Sequence, residues 1–367
     1  MLQITTLEPW IDPRGGSVER IRVDNGKVAI EVLSLGGIIH SLWTEDNQGK
    51  RENIVLGCDN VADYLEQQGY LGAIAGRYSN RIANGSLNYK GTQYQLDVNQ
   101  ATNCLHGGAE GFHLKHWHMS SLEDGVRLTL ESPDGDMGFP GKCTVQLDYR
   151  LDDNNLIIEM CAKVDKACPI SLTQHSYFNL EGCTSLSNSE HLIQVDAKQY
   201  LTMNDVGVPT TIKTTTGSDL DLAEATKLSV QTQRSQLAAT NGFDHCYVLT
   251  NSNIDAGVGV GVGVGVGTDT STDASTKNMI RFGCLSSPKS GRTMTIYTNQ
   301  PGVQVYGANF LDGAKGYDGR IYKPHQAVCI EPQMLPDSPN QADLPGKPWI
   351  EPGETYRHNS RYEFGIM

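Results

Sequence analysis

The chain of 367 residues contains no Cys-x-x-Cys pair, no GxxxxGK[ST] loop and no His-Glu-x-x-His. These gaps argue against a structural zinc site, a nucleotide-binding P-loop and a zincin-type protease, each of which needs its donors at those spacings. No apolar run approaches the ~20 residues that span a bilayer. The opening MLQITTLEPW lacks the basic segment and apolar stretch of a secretory leader. Positive charge is also scarce: 29 Lys and Arg stand against 42 Asp and Glu, for a net charge of −13. A nucleic-acid binder needs a basic face to displace counterions from phosphates, and anionic lipid attracts basic segments. Neither partner is expected. The nine cysteines are odd in number and scattered. They fit free thiols in a reducing cytoplasm, most of them acting as small buried hydrophobes.

Helical periodicity is nearly missing too; only residues 61–68 read as a short helix. Strand patterns dominate. Residues 28–43 are rich in β-branched side chains and are broken at Gly36-Gly37. Residues 126–130, 144–151, 156–164, 294–297 and 303–310 continue the theme. A period of two puts one set of side chains on a buried face and the other on a solvated or ligand-facing one. Asp24-Asn25-Gly26, Pro133-Asp134-Gly135, Asp152-Asp153-Asn154 and Glu351-Pro352-Gly353 mark turns between runs. Many strands without a βαβ rhythm predict an all-β fold, an antiparallel sandwich or barrel. We expect one domain over residues 1–367, with a low-complexity Gly-Val/Thr-Ser-Asp insertion at about 256–277. Its GVGVGVGVGVG run packs nothing, leads into no helix, and reads as an inserted surface loop or loose hairpin edge.

Several residues invite chemistry, each weakly when taken alone. His175 sits in ISLTQHSYFNL, where a strand enters a loop; a lone histidine is more often a bonded core residue, but it can also pass a proton near neutral pH. His106 lies on the glycine-rich CLHGG, where backbone can approach a ligand. Asp244 follows a Gly-Phe turn, and Glu331 ends an apolar strand just before Pro332. A partly desolvated carboxylate there is a candidate general base. GRYSNRI offers Arg77, Asn80 and Arg81, and an arginine fork suits vicinal hydroxyls as well as carboxylates. Trp10, Trp43, Trp117 and Trp349 could stack on a sugar face, with core packing as the default. His113, His116 and His118 are closely spaced, but not on one strand face, and read as surface histidines rather than metal ligands.

Eight segments, in order, together carry a resemblance. They are GRYSNRIANGSL, NCLHGG, GFHLKHW, SPDGDMGFPG, LTQHSYFNLEG, DHCYVL, NQPGVQVYGANFLDG and the C-terminal IEPQMLPDSPNQADLPGKPWIEPGETYRHNSRYEFGI. In this set the chain resembles the aldose 1-epimerase (galactose mutarotase) family over nearly its whole length. The Gly-Val run is foreign to the family pattern, and residues 183–222 match it poorly.

The resemblance implies a large antiparallel β-sandwich, the mutarotase-like supersandwich, with an open sugar cleft, no metal and no cofactor. It implies interconversion of the α and β anomers of free hexoses such as D-galactose and D-glucose. Glu331 would act as base on the C1 hydroxyl and His175 as acid on the ring oxygen. Asn80, Arg81, His106, Tyr177, Asp244 and Gln304 would bind the sugar, and Arg77 would be structural. The expected partner is a small-molecule sugar, and the expected state a monomer or weak homodimer. Two other readings stay open. A hexose-6-phosphate 1-epimerase would need extra cations for a dianion. A non-catalytic carbohydrate-binding protein would not need the acid–base pair.

Overall fold

The computed structural model describes residues 1–249, 258–260 and 279–367. The insertion expected at about 256–277 lies outside these residues, apart from the backbone of Val258–Val260, which pairs with the start of Glu354–Ile366. Antiparallel strands make up the architecture, and the helix expected at 61–68 is Val61–Glu66, capped by Asn60.

Three sheets carry the fold. The first is a five-stranded meander in chain order: Gln3–Ile11, Ser17–Asp24, Ala29–Leu33, Ile39–Glu45 and Arg51–Asn53. Gly36 and Gly37, at φ 63° and 59°, supply the break foreseen between its third and fourth strands. The second sheet is large. Its centre runs Gly125–Ser132, Cys143–Asp152, Asn155–Val164, Glu354–Ile366, Arg292–Thr298 and Ile280–Ser286. Val145, Leu147 and Tyr149 alternate inward along one of these strands, as a period of two requires. The third sheet is Pro209–Thr214, Gln199–Met203, Asp244–Val248, Gly302–Tyr306 and Cys329–Gln333. One apolar cluster joins all three, from Val23 and Ile30 through Leu147 and Ile158 to Val303 and Ile330.

Two expectations need correction. The run at 303–310 is a strand only to Tyr306; Gly307 and left-handed Ala308 (φ 55°) then turn the chain outward, leaving Phe310 66% exposed. Glu331 does not end its strand but sits in the middle of Cys329–Gln333. Pro332 is tolerated there because this is an edge strand, where a missing N–H costs no ladder bond.

Candidate active site

The third sheet builds one wall of a cleft of about 560 Å³. Register places Gln304 directly opposite Glu331, and Asp244 opposite Tyr306, so the pleat turns these side chains to one face. The reverse face carries Tyr247, Val303, Val305 and Ile330 into the core. Burial of that face is what presents the polar one to the cleft. All eight residues singled out for acid–base or binding roles line this cleft: Asn80, Arg81, His106, His175, Tyr177, Asp244, Gln304 and Glu331.

The opposite wall comes from short loops. Thr173–Gln174 pairs with Ile74–Ala75, and His175 continues the contact through its N–H to the Ala73 carbonyl at 2.9 Å. Thr173 also donates its hydroxyl to the Pro332 carbonyl at 2.8 Å, tying the segment of His175 to the strand of Glu331. Asn80 and His106 hold each other. The His106 N–H donates to the Asn80 carbonyl at 3.0 Å, and the Asn80 N–H donates to His106 Nδ1 at 3.2 Å. A neutral His106 therefore carries its proton on Nε2; burial keeps it neutral by pushing its pKa well below 6.5. Tyr70, Asn80 and His106 all adopt left-handed backbone, at φ 55°, 62° and 52°. Such strain costs on the order of 1–3 kcal/mol per residue and gathers at functional sites. Gly107 completes this loop at φ 90°, where a Cβ would stand 1.9 Å from the Gly76 carbonyl oxygen.

His175 Nε2 and Glu331 Oε2 face each other at 3.6 Å, beyond a direct hydrogen bond. Both side chains are almost fully buried, and neither His175 Nδ1 nor Glu331 Oε2 has a partner. Burial pushes the Glu331 carboxyl well above its ordinary range; the Asp244 charge adds to this and Arg81 opposes it. Burial pushes His175 down to about 4. Gln304 donates to Asp244 Oδ1 at 2.6 Å and leaves its own Oε1 unpaired. Arg81 Nε donates to Gln100 at 2.7 Å. The cleft thus places a buried imidazole and a buried carboxyl side by side, each with an unpartnered polar atom, among further polar side chains.

A family profile described as aldose 1-epimerase matches residues 19–363. The chain belongs to the aldose 1-epimerase family. It is 35% identical to galactose mutarotase from Homo sapiens over 354 residues, 96% of this chain and 95% of that one. It is 32% identical to aldose 1-epimerase from Escherichia coli K12, with 93% of each chain covered. A solved aldose epimerase homologue from C. elegans is 26% identical and covers 95% of this chain and 99% of its own, with a TM-score of 0.82. Galactose 1-epimerase from Lactobacillus acidophilus, 23% identical, has the same fold at a TM-score of 0.79, over 100% and 99% of the two chains. As a member of this family the protein is an isomerase of the epimerase type.

Other residues of this family member fall where the sequence did not point. Tyr70 lines the cleft, its ring 4.6 Å from that of His106 and 4.5 Å from that of His113. His113 is therefore not a surface residue: it is half-buried, and burial lowers its pKa to about 4, whereas His116 and His118 are exposed. Gln100 and Tyr306 also line the cleft, and no local pattern marks them; Phe310, which like the tryptophans reads from sequence as a possible stacking aromatic with core packing as the default, lines it too. None of the four tryptophans is among its lining residues. Arg77 points away from it, buried, with its guanidinium on Ser132 and on the carbonyls of Pro133, Pro140 and Gly141. Among the described residues, one cluster gathers metal-type donors: His175, Cys329 and Glu331.

Proposed function

We propose that the cleft binds a free aldohexose such as D-galactose or D-glucose and interconverts its anomers. The observation that carries this is the 3.6 Å gap between His175 Nε2 and Glu331 Oε2. The C1 hydroxyl oxygen and the ring oxygen sit on the same carbon, so one short gap can serve both. Glu331 takes the C1 hydroxyl proton while His175 delivers one to the ring oxygen. The ring opens to the aldehyde, the C1–C2 bond turns, and closure on the other carbonyl face reverses the two roles. Each positioned proton transfer contributes about 10²–10⁴-fold.

The pair needs one proton in total. Burial by itself favours the two neutral forms, with that proton on Glu331. Sugar hydroxyls bring donors to the carboxylate and favour moving the proton to His175. Asn80, Arg81, His106, Tyr177, Asp244 and Gln304 grip the remaining oxygens. Five carboxylates line the cleft, Asp63, Glu66, Asp244, Asp312 and Glu331, against two cations, Arg81 and Lys315. Lys315 is already paired with Asp63 and Glu66. That balance favours a neutral sugar over a hexose phosphate dianion. On this reading the whole chain acts as one domain, supported by an apolar cluster running from Ile21 to Phe364. A cytoplasmic site of action fits its nine free thiols.

Polarimetry tests the proposal directly. Freshly dissolved α-D-galactose and α-D-glucose should lose optical rotation faster with the protein than without, and Glu331→Gln should abolish the difference. Folded wild-type protein that leaves the spontaneous rate unchanged would overturn it.

A further inference from the structure

We infer that the floor of the cleft is also a binding site for a thiophilic divalent cation such as Zn²⁺, held by His175, Cys329 and Glu331. Their donor atoms all lie within 4.8 Å of one another. Cys329 precedes Glu331 by two residues on one strand, so the pleat sends both side chains to the same face. The 3.6 Å between His175 Nε2 and Glu331 Oε2 is close to the ~3.3 Å edge of a tetrahedron with bonds of ~2.0 Å. Exposure is 4% for His175, 2% for Glu331 and none for Cys329.

Two further observations point to a ligand. Glu331 Oε2 is buried with no hydrogen-bond partner, and a cation would satisfy it. His175 and Glu331 both line the open cleft, which gives an entry path. The donor set decides the class of ion. One sulfur, one imidazole and one carboxylate suit Zn²⁺ or Co²⁺; Mg²⁺ and Ca²⁺ require several oxygens. Three protein ligands leave a fourth position for water. Ligation releases two protons to solvent, one from the Cys329 thiol and one from the Glu331 carboxyl, and forms a metal–sulfur and a metal–oxygen bond in their place.

The cation is not a helper of the proposed reaction, because it ties up both the base and the acid. It competes with the sugar. That competition rests on the roles proposed for Glu331 and His175; the binding itself does not.

Titration of the full chain with Co²⁺ tests the inference, read both by absorption and by polarimetry. A thiolate-to-Co²⁺ charge-transfer band should grow to one equivalent, with inhibition that chelation reverses and Mg²⁺ does not mimic. Cys329→Ser and Cys329→Ala should lose the band and weaken inhibition at least about tenfold, while metal-free mutarotation stays at the wild-type rate. Glu331→Gln should weaken the band. A band that survives in both Cys329 variants, inhibition without a band, or no binding at millimolar Co²⁺ would each overturn the site. Because the band needs no turnover, failure of the metal site and failure of the mutarotase reading are separately visible.

Discussion

Gln304 stands directly across the sheet from Glu331, yet its amide donates to Asp244. The carboxyl of Glu331 thus gains no donor from its nearest cross-strand neighbour, and the Asp244 charge helps hold its pKa up. The proposed reaction needs the His175–Glu331 pair with one proton in total. That form exists above the lowered pKa of His175, about 4, and below the raised pKa of Glu331. The expected kcat/KM profile is a bell wider than ordinary values of 4.5 and 6.5 would give. Asp244→Asn removes the charge, lowers the Glu331 pKa and should pull the alkaline limb to lower pH. Polarimetric profiles of both proteins check this; an alkaline limb that does not move contradicts it.

The same carboxyl is a liability to the fold. A group whose pKa is raised on folding contributes stability below its unfolded value, near 4.5, and loses it as pH rises through the folded value. Glu331→Gln should therefore be more stable than wild type at pH 8 by about 1–3 kcal/mol, with the two converging near pH 4. Urea denaturation at both pH values measures it. Mutarotation in the same variant should fall by about 10²–10⁴-fold.

Arg77 and Arg81, four residues apart, should fail in opposite ways. Arg77→Met strands three buried carbonyl groups, the part-buried one of Pro133 and the Ser132 hydroxyl. A loss above about 3 kcal/mol in urea is expected. Arg77→Lys should recover little, since one ammonium cannot reproduce the fork. KM of whatever folds should match wild type. A stable Arg77→Met protein with a raised KM would reverse this assignment.

Gly207 offers a way to disturb Arg81 without mutating it. A Cβ on Gly207, at φ 75°, would lie 2.7 Å from Arg81 Nε and 2.9 Å from its Cζ. Gly207→Ala should push the guanidinium off its seat and raise KM by about tenfold, ~1.4 kcal/mol, with kcat little changed. Steady-state polarimetry separates the two parameters.

Acid should weaken the whole protein. Eight histidines, His40, His106, His113, His175, His191, His245, His325 and His358, have pKa values lowered by burial. The unfolded chain binds protons there that the folded chain refuses, so stability is lost as pH falls below 6.5 toward 4. The most deeply buried of them each contribute on the order of 1 kcal/mol at pH 5. A urea midpoint at pH 5 equal to that at pH 7.5 would count against this.

What the sequence made legible follows from how local each signal is. The hairpin of Cys143–Asp152 with Asn155–Val164 could be read because alternation and the Asp152-Asp153-Asn154 turn lie within twenty residues or so of each other. Gln3–Ile11 escaped notice because its side chains are mostly exposed and no buried alternation marks it. Pro332 concealed that Glu331 is mid-strand, since only the sheet shows that this strand is an edge. The cleft residues were reached through the order of whole motifs. Nothing in the local pattern of Asn80 or His106, each on a loop beside a two-residue strand, says they share a cleft with a strand at Glu331. Tyr70 had no signal at all, because its left-handed backbone is imposed by the loop around it.

The strand Cys329–Gln333 has a free side, and free strand edges are where other chains add on and aggregates begin. Here that side is closed by side chains: the Thr173 hydroxyl on the Pro332 carbonyl and the Tyr362 hydroxyl on the Ile330 carbonyl, with no N–H on Pro332 to offer. The bonds that seat the strand of Glu331 beside the segment of His175 are thus the same ones that keep the strand from recruiting a neighbour. Evolution of this site is constrained from two directions, because loosening the grip on Glu331 to alter chemistry also uncovers a template for self-association.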